Sequence, residues 1–137
     1  MRAVFADTSY WLALLISKDS LHRKARALSE SLRNARVITS EMVLAELLND
    51  CSHRGAALRR TAVLMIGDLR RKMEVLIVPQ TSVQFREALS LYEQRDDKRW
   101  SLTDCASFQI MRRDRMTQAL THDRHFEQAG FQALLRG

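Results

Sequence analysis

Short apolar runs alternating with helix-periodic segments restrict this chain to a narrow set of folds. Ala3-Val4-Phe5-Ala6 stops at Asp7-Thr8-Ser9, the pattern of a buried strand meeting a helix start signal. A helix over about Tyr10 to Ser17 follows, and one from Leu21 to Arg33 sets Leu21, Ala25, Leu28 and Leu32 at helical spacing. Arg36 to Thr39 reads as the second strand. Ser40 then opens a helix with Val43, Leu44, Leu47, Leu48 and Cys51 on one stripe, and Ala57 to Met73 is a further helix. Val75 to Pro79 is a third strand, closed by its proline. Ser82 to Gln94 and Ser101 to about Arg113 are helices, Met116 to Thr121 a fourth strand, and Phe131 to Leu135 a short fifth. This alternation predicts an α/β fold with a parallel sheet covered on both faces. Ligands of such sheets bind outside the carboxyl ends of the strands, so chemistry is expected on that rim.

The 137 residues, 46% hydrophobic, suffice for one domain spanning 1–137 with a real core. One proline and four glycines argue against long linkers or disorder. Cys51 and Cys105 form no CxxC pair, so neither a zinc site nor a disulfide framework is indicated and a reducing setting is the simpler reading. Asp7 interrupts the apolar N-terminal stretch and no small-residue cleavage site follows, so neither a signal peptide nor a membrane span is expected and the location is taken as cytoplasmic. A formal charge of +6 favours a polyanionic partner such as nucleic acid, against the alternative of a merely solvated basic surface.

Four acids fall near the expected rim. Asp7 directly follows the first strand and Asp123 lies just past the fourth, while Glu46 sits in the second turn of the helix after the second strand. Asp104 lies in the first turn of a helix that runs antiparallel to the fourth strand, so its start belongs to the same rim. Singly, each has a bland explanation. Asp7 fits an N-cap, Asp104 completes a capping box with Ser101, and Asp123 fits a turn. Glu46 caps nothing; it sits some 60° outside Val43 at the border of the apolar stripe, whereas Glu41 is the first-turn dipole acid and Asp50 an outlying neighbour. Acids gathered on one rim repel one another unless a cation lies between them, and hard oxygen ligands suit Mg²⁺ or Mn²⁺.

Arg59, Arg60, Arg70, Arg71, Lys72, Arg112, Arg113 and Arg115 are candidate contacts to a nucleic-acid backbone, weighed against simple surface charge. His22, His53, His122 and His125 lack zinc-type spacing; only His122 and His125 fall near the rim. Trp11 and Trp100 fit core packing better than base stacking, and Cys105 reads as a small buried residue.

Phe-Ala-Asp-Thr-Ser, Thr-Ser-Glu-Met-Val-Leu-Ala-Glu-Leu-Leu, Trp-Ser-Leu-Thr-Asp-Cys-Ala-Ser-Phe and Thr-His-Asp-Arg-His-Phe occur in this order between Val4 and Leu134. Together they resemble the PIN-domain ribonucleases, and most of all the VapC-type toxins of bacterial toxin–antitoxin pairs. The resemblance implies a three-layer α/β/α fold with a five-stranded parallel sheet and Mg²⁺- or Mn²⁺-dependent cleavage of single-stranded or looped RNA, frequently by homodimers. It assigns Asp7, Glu46, Asp104 and Asp123 to the family's acidic quartet, with Thr8 and Thr103 as polar supports. Asp7 and Asp104 are expected as principal ligands, Glu46 as a water-mediated ligand or orienter of the nucleophile, and Asp123 as part of a second position or outer shell. A toxin would have an antitoxin partner that covers or enters the site.

Three other functions compete. One is a stand-alone PIN nuclease in RNA processing. Another is a metal-dependent small-molecule phosphatase, although the second Asp expected two residues after Asp7 is Ser9 and there is no GxGxxG or P-loop. The third is a non-catalytic RNA- or protein-binding module, which the intact quartet disfavours.

Overall fold

The computed structural model describes residues 2–137. In chain order the elements are β1 (Ala3–Ala6), α1 (Thr8–Leu15), α2 (His22–Ser31), β2 (Arg36–Ser40), α3 (Glu41–Cys51), α4 (Ala56–Arg71), β3 (Val75–Val78), α5 (Ser82–Gln94), α6 (Leu102–Arg113), β4 (Gln118–Leu120), α7 (Arg124–Gln128) and β5 (Gln132–Ala133). The strands form one five-stranded sheet in the order β3-β2-β1-β4-β5, with every pairing parallel. The expected α/β architecture and five-stranded parallel sheet are therefore present.

The order explains why the site lies where it does. From β1 the chain builds outward through β2 to β3, then returns to the other side of β1 to place β4 and β5. The direction reverses between β1 and β4, and a crevice opens outside the carboxyl ends of the strands at such a switch point. Asp7 directly follows β1, and Thr121 directly follows β4. The backbone N–H of Asp7 still donates to the Leu120 carbonyl at 3.1 Å, so the pairing of β1 with β4 carries the acid to the lip of the crevice.

β1 is central and covered on both faces, which is why Val4, Phe5 and Ala6 form an unbroken apolar run and are fully buried. On one side of the core Phe108 of α6 packs edge-on against Phe126 of α7, with centroids 5.0 Å apart, and against Trp100 at 4.9 Å. Phe126 also lies 6.5 Å from Phe5 of β1. This aromatic stack clamps α6 and α7, the bearers of Asp104 and His125, to the central strand.

Most bounds shift by a residue or two, and three departures from expectation bear on the site. α1 begins at Thr8 rather than Tyr10, because the Asp7 carbonyl already accepts the Tyr10 and Trp11 N–H groups. β4 and β5 are shorter than the apolar runs that announced them, since the ladder covers only Gln118–Leu120 and Gln132–Ala133. The segment after Asp123 is not merely a turn but the five-residue helix α7, which is too short to show periodicity. Gly130 follows it at φ +97°, a backbone conformation glycine takes without strain, and turns the chain into β5.

The tryptophans are core residues, not stacking platforms. Trp11 is buried and donates to Thr39 Oγ1 at 3.3 Å, and Thr39 in turn donates to the Ala6 carbonyl at 2.8 Å. Trp100 is buried, donates to Gln128 Oε1 and carries the Arg95 guanidinium over its ring. No helix among the described residues is long and apolar enough to cross a membrane.

Candidate active site

Asp7 occupies the N-cap position of α1, yet its side chain makes no capping hydrogen bond to that helix's interior. The bland explanation for this residue therefore fails. Its carboxylate turns into the crevice, where Thr121 Oγ1 donates to Oδ2 at 2.8 Å. Asp7 is 5% exposed. Burial pushes its carboxyl up to about 7, opposed by hydrogen bonds from the Thr8 backbone and Thr121 and reinforced by the nearby charges of Asp104 and Glu46. A carboxylate kept this dry beside two others is short of positive charge.

Glu46 reaches the same place from α3. Ser40 fixes the start of that helix by accepting the Val43 N–H at 3.1 Å. Glu46 then sits at the edge of the stripe formed by Val43, Leu44 and Leu47, half-buried, and accepts the Thr8 hydroxyl at 2.5 Å. Thr8 thus links Glu46, through its hydroxyl, to Asp7, which accepts its backbone N–H.

Asp104 fits both of its explanations at once. With Ser101 it closes a true capping box: the Asp104 N–H donates to Ser101 Oγ at 3.0 Å, and Asp104 Oδ2 accepts the Ser101 N–H at 3.1 Å. The same Oδ2 lies 3.0 Å from His125 Nδ1. Burial raises the Asp104 carboxyl, the Asp123 charge adds to the rise, and the Ser101 N–H and His125 oppose it. Cys105 next door is buried, and its thiol is pushed up to about 11 by that burial and by Asp104, so it stays protonated and is no nucleophile.

Asp123 caps α7 by accepting the His125 N–H at Oδ1, 2.9 Å away, while its own N–H donates to Thr121 Oγ1 at 3.0 Å. Oδ1 also lies 3.2 Å from His125 Nδ1. The four acids are consequently joined: Glu46 through Thr8 to Asp7, Asp7 through Thr121 to Asp123, and Asp123 through His125 to Asp104. The structure brings together every member of the quartet expected from the sequence.

Thr121 and Ser9 are the residues the sequence did not single out. Thr121 is fully buried and serves Asp7, Asp123 and Ser9 at once, the last at 3.3 Å. Ser9 also accepts the His122 N–H at 3.1 Å, stitching α1 to the segment after β4. A polar residue at the end of an apolar strand was the available signal. His125, noted only as a neighbour of the site, is inside it.

Thr103, the second expected support, accepts the Ser107 hydroxyl through its backbone carbonyl. Arg112 and Arg113 lie in the last turn of α6, at the opposite end from Asp104. Position 113 is nine positions beyond 104, an offset of roughly 14 Å along the axis. There they line a cleft of about 460 Å³ with Ser40, Gln80, Gln84 and Gln109, and Arg113 also pairs with Asp114. Arg115 follows in an exposed turn.

Comparison with known proteins gives a consistent picture. The sequence profile of the PIN domain matches residues 4–132. The chain is 32% identical over 136 residues to the 23S rRNA-specific endonuclease VapC20 of Mycobacterium tuberculosis, in strains CDC 1551 / Oshkosh and ATCC 25618 / H37Rv, covering 93% of this chain and 95% of the relative. The crystal structure of M. tuberculosis VapC20, described as a sarcin-ricin loop cleaving toxin, superposes with a TM-score of 0.83 at 29% identity over 93% of this chain and 95% of that one.

Proposed function

Since the chain belongs to the PIN-domain family, we propose that it is a Mg²⁺- or Mn²⁺-dependent endoribonuclease that cuts a looped segment of RNA, and that it is the toxin of a toxin–antitoxin pair. The observation that carries this is the joined quartet at the β1/β4 crevice, with Asp7 buried beside two further carboxylates. The substrate class follows the relatives, whose target is a loop of 23S rRNA.

The donor set fits a divalent cation. Four carboxylates offer hard oxygens, and the Asp7 and Asp104 carboxyls, raised chiefly by burial and then by neighbouring acids, suit a place that a cation would neutralise. Asp7 and Asp104 would hold the ion directly, with Glu46 and Asp123 acting directly or through water. Bound there, the ion supplies the Lewis acidity that activates water and offsets charge developing on a phosphate.

The chain's own residues do the rest. Thr121 fixes the Asp7 carboxylate, Thr8 fixes Glu46, and the Ser101 box fixes Asp104, so the acids are positioned before substrate arrives. The +6 charge draws the polyanion in, with Arg112, Arg113 and Arg115 suited to phosphates distant from the cut. Incubating the protein with a panel of stem–loop RNAs and, in parallel, a chromogenic phosphate ester separates the readings. Cleavage of a loop bond with the ester untouched is the expected result. Ester turnover without RNA cleavage points instead to the phosphatase.

Assembly as a homodimer fits an apolar stripe on α5. Phe85, Leu89 and Tyr92 share one face at 43%, 48% and 50% exposed. Leu89→Arg is expected to convert a dimer to monomers in light scattering while leaving the helix folded. Unchanged mass would remove α5 from the interface. An antitoxin would cover the same carboxyl rim or enter it.

A further inference from the structure

We propose that His125 is a nitrogen ligand of the divalent cation between Asp104 and Asp123, and that it biases this position towards Mn²⁺ over Mg²⁺. The inference rests on the metal-dependent reading above and goes one residue beyond its acidic quartet.

The geometry comes first. His125 Nδ1 lies 3.0 Å from Asp104 Oδ2 and 3.2 Å from Asp123 Oδ1. One donor atom from each of the three residues falls within 4.8 Å of the others. Adjacent ligands of an octahedral ion with bonds of ~2.1 Å stand about 3 Å apart. The three donors are thus spaced as neighbours in a coordination shell.

The ring is held in that position. The His125 N–H is committed to Asp123 Oδ1 at the start of α7, and the next residue, Phe126, is fully buried in the aromatic stack on Phe108. Its neighbour's packing therefore anchors the backbone that carries the imidazole. The ring is mostly covered but keeps 22% of its side chain exposed, so a solvent molecule or phosphate oxygen could reach a cation held there. With its hydrogen on Nε2, a neutral imidazole presents the Nδ1 lone pair to the two carboxylates' common partner.

The choice of ion follows from donor chemistry. Mg²⁺ favours oxygen ligands and retained waters, whereas an imidazole suits transition ions. A site with one imidazole nitrogen among its carboxylates leans towards Mn²⁺. The competing role is that of a hydrogen-bond donor that merely orients Asp104 and Asp123. It places a hydrogen on Nδ1 and no nitrogen on the metal.

Pulsed electron paramagnetic resonance of the Mn²⁺-loaded full chain distinguishes the two. Wild type is expected to show a histidine ¹⁴N coupling on the bound ion, replaced by ¹⁵N when the protein is made with ¹⁵N-histidine. His122→Ala keeps the coupling and His125→Ala loses it. In calorimetry His125→Ala binds Mn²⁺ about tenfold more weakly and Mg²⁺ within about twofold of wild type. The isotope substitution needs no variant, so the test survives if His125→Ala disturbs α7. Bound Mn²⁺ without nitrogen coupling in wild type, or coupling that persists in His125→Ala, overturns the inference and leaves the acidic site standing. Wild type that binds no Mn²⁺ or Mg²⁺ overturns both.

Discussion

Asp7→Asn is expected to abolish RNA cleavage and, in the same protein, to stabilise the metal-free fold above neutral pH. The loss of activity should reach roughly 10³-fold or more, because on the proposed mechanism the substitution removes an anionic ligand while keeping the side chain's shape. The stability gain has the opposite origin. Burial raises the Asp7 carboxyl from 3.8 to about 7, so the folded state holds this proton more tightly than the unfolded chain does. The group's stabilising effect is fully present below about 4 and is lost as pH climbs through about 7. A shift of this size corresponds to something on the order of 4 kcal/mol in the metal-free protein at pH 8. Asparagine is neutral throughout and can still accept the Thr121 hydroxyl. Thermal melts in EDTA should place Asp7→Asn above wild type at pH 8, with the gap closing as pH falls to 4. A variant less stable than wild type at pH 8 would show that Asp7 is a structural residue and not a strained ligand. Stability given up at an active site in this way is a common trade.

Asp104→Asn separates the two explanations that this residue satisfies together. An asparagine carbonyl oxygen can still accept the Ser101 N–H and complete the capping box, but it brings no charge to the crevice. Cleavage should fall by a further factor of roughly 10³, with folding stability within about 1 kcal/mol of wild type. Asp104→Ala also removes the acceptor of the Ser101 N–H, half of the capping box, and should cost about 1 kcal/mol more. The pair is read by cleavage rate and denaturant midpoint. An asparagine variant that cuts RNA as well as wild type would reduce Asp104 to a cap.

Much of this was legible locally. The run Val4-Phe5-Ala6 ending at Asp7 announced the central strand and its terminal acid, because a doubly covered parallel strand has to be apolar throughout. α5 follows its expected bounds and α6 lies within one residue of them, since Ser101 and Thr81 cap through short side chains at fixed offsets. Glu46 stood out because it interrupts an apolar stripe without capping anything.

What escaped was either too short or too distant to leave a pattern. α7 spans five residues, less than two turns, and carries no periodic signal. The hydrogen bond from Thr121 to Asp7 joins residues 114 positions apart, and nothing in either neighbourhood records it. His125 lacks zinc-type spacing because its partners are carboxylates brought in by α6 and by the α7 cap. Arg112 and Arg113 are candidates on charge, and α6 carries them to the end opposite Asp104. Charge counts cannot tell one end of a helix from the other.

If the quartet holds a divalent cation and cuts RNA with it, removing either the ion or one acid stops the reaction. The most direct test is cleavage of a 23S rRNA sarcin–ricin stem–loop by wild type and Asp7→Asn, first in EDTA and then with Mn²⁺ or Mg²⁺ restored. RNA is expected to stay intact in EDTA, wild type to make a defined loop cut once the ion returns, and Asp7→Asn to make no cut in either condition. Equal cleavage in EDTA, or a cut of wild-type strength by Asp7→Asn, would contradict the metal-dependent reading.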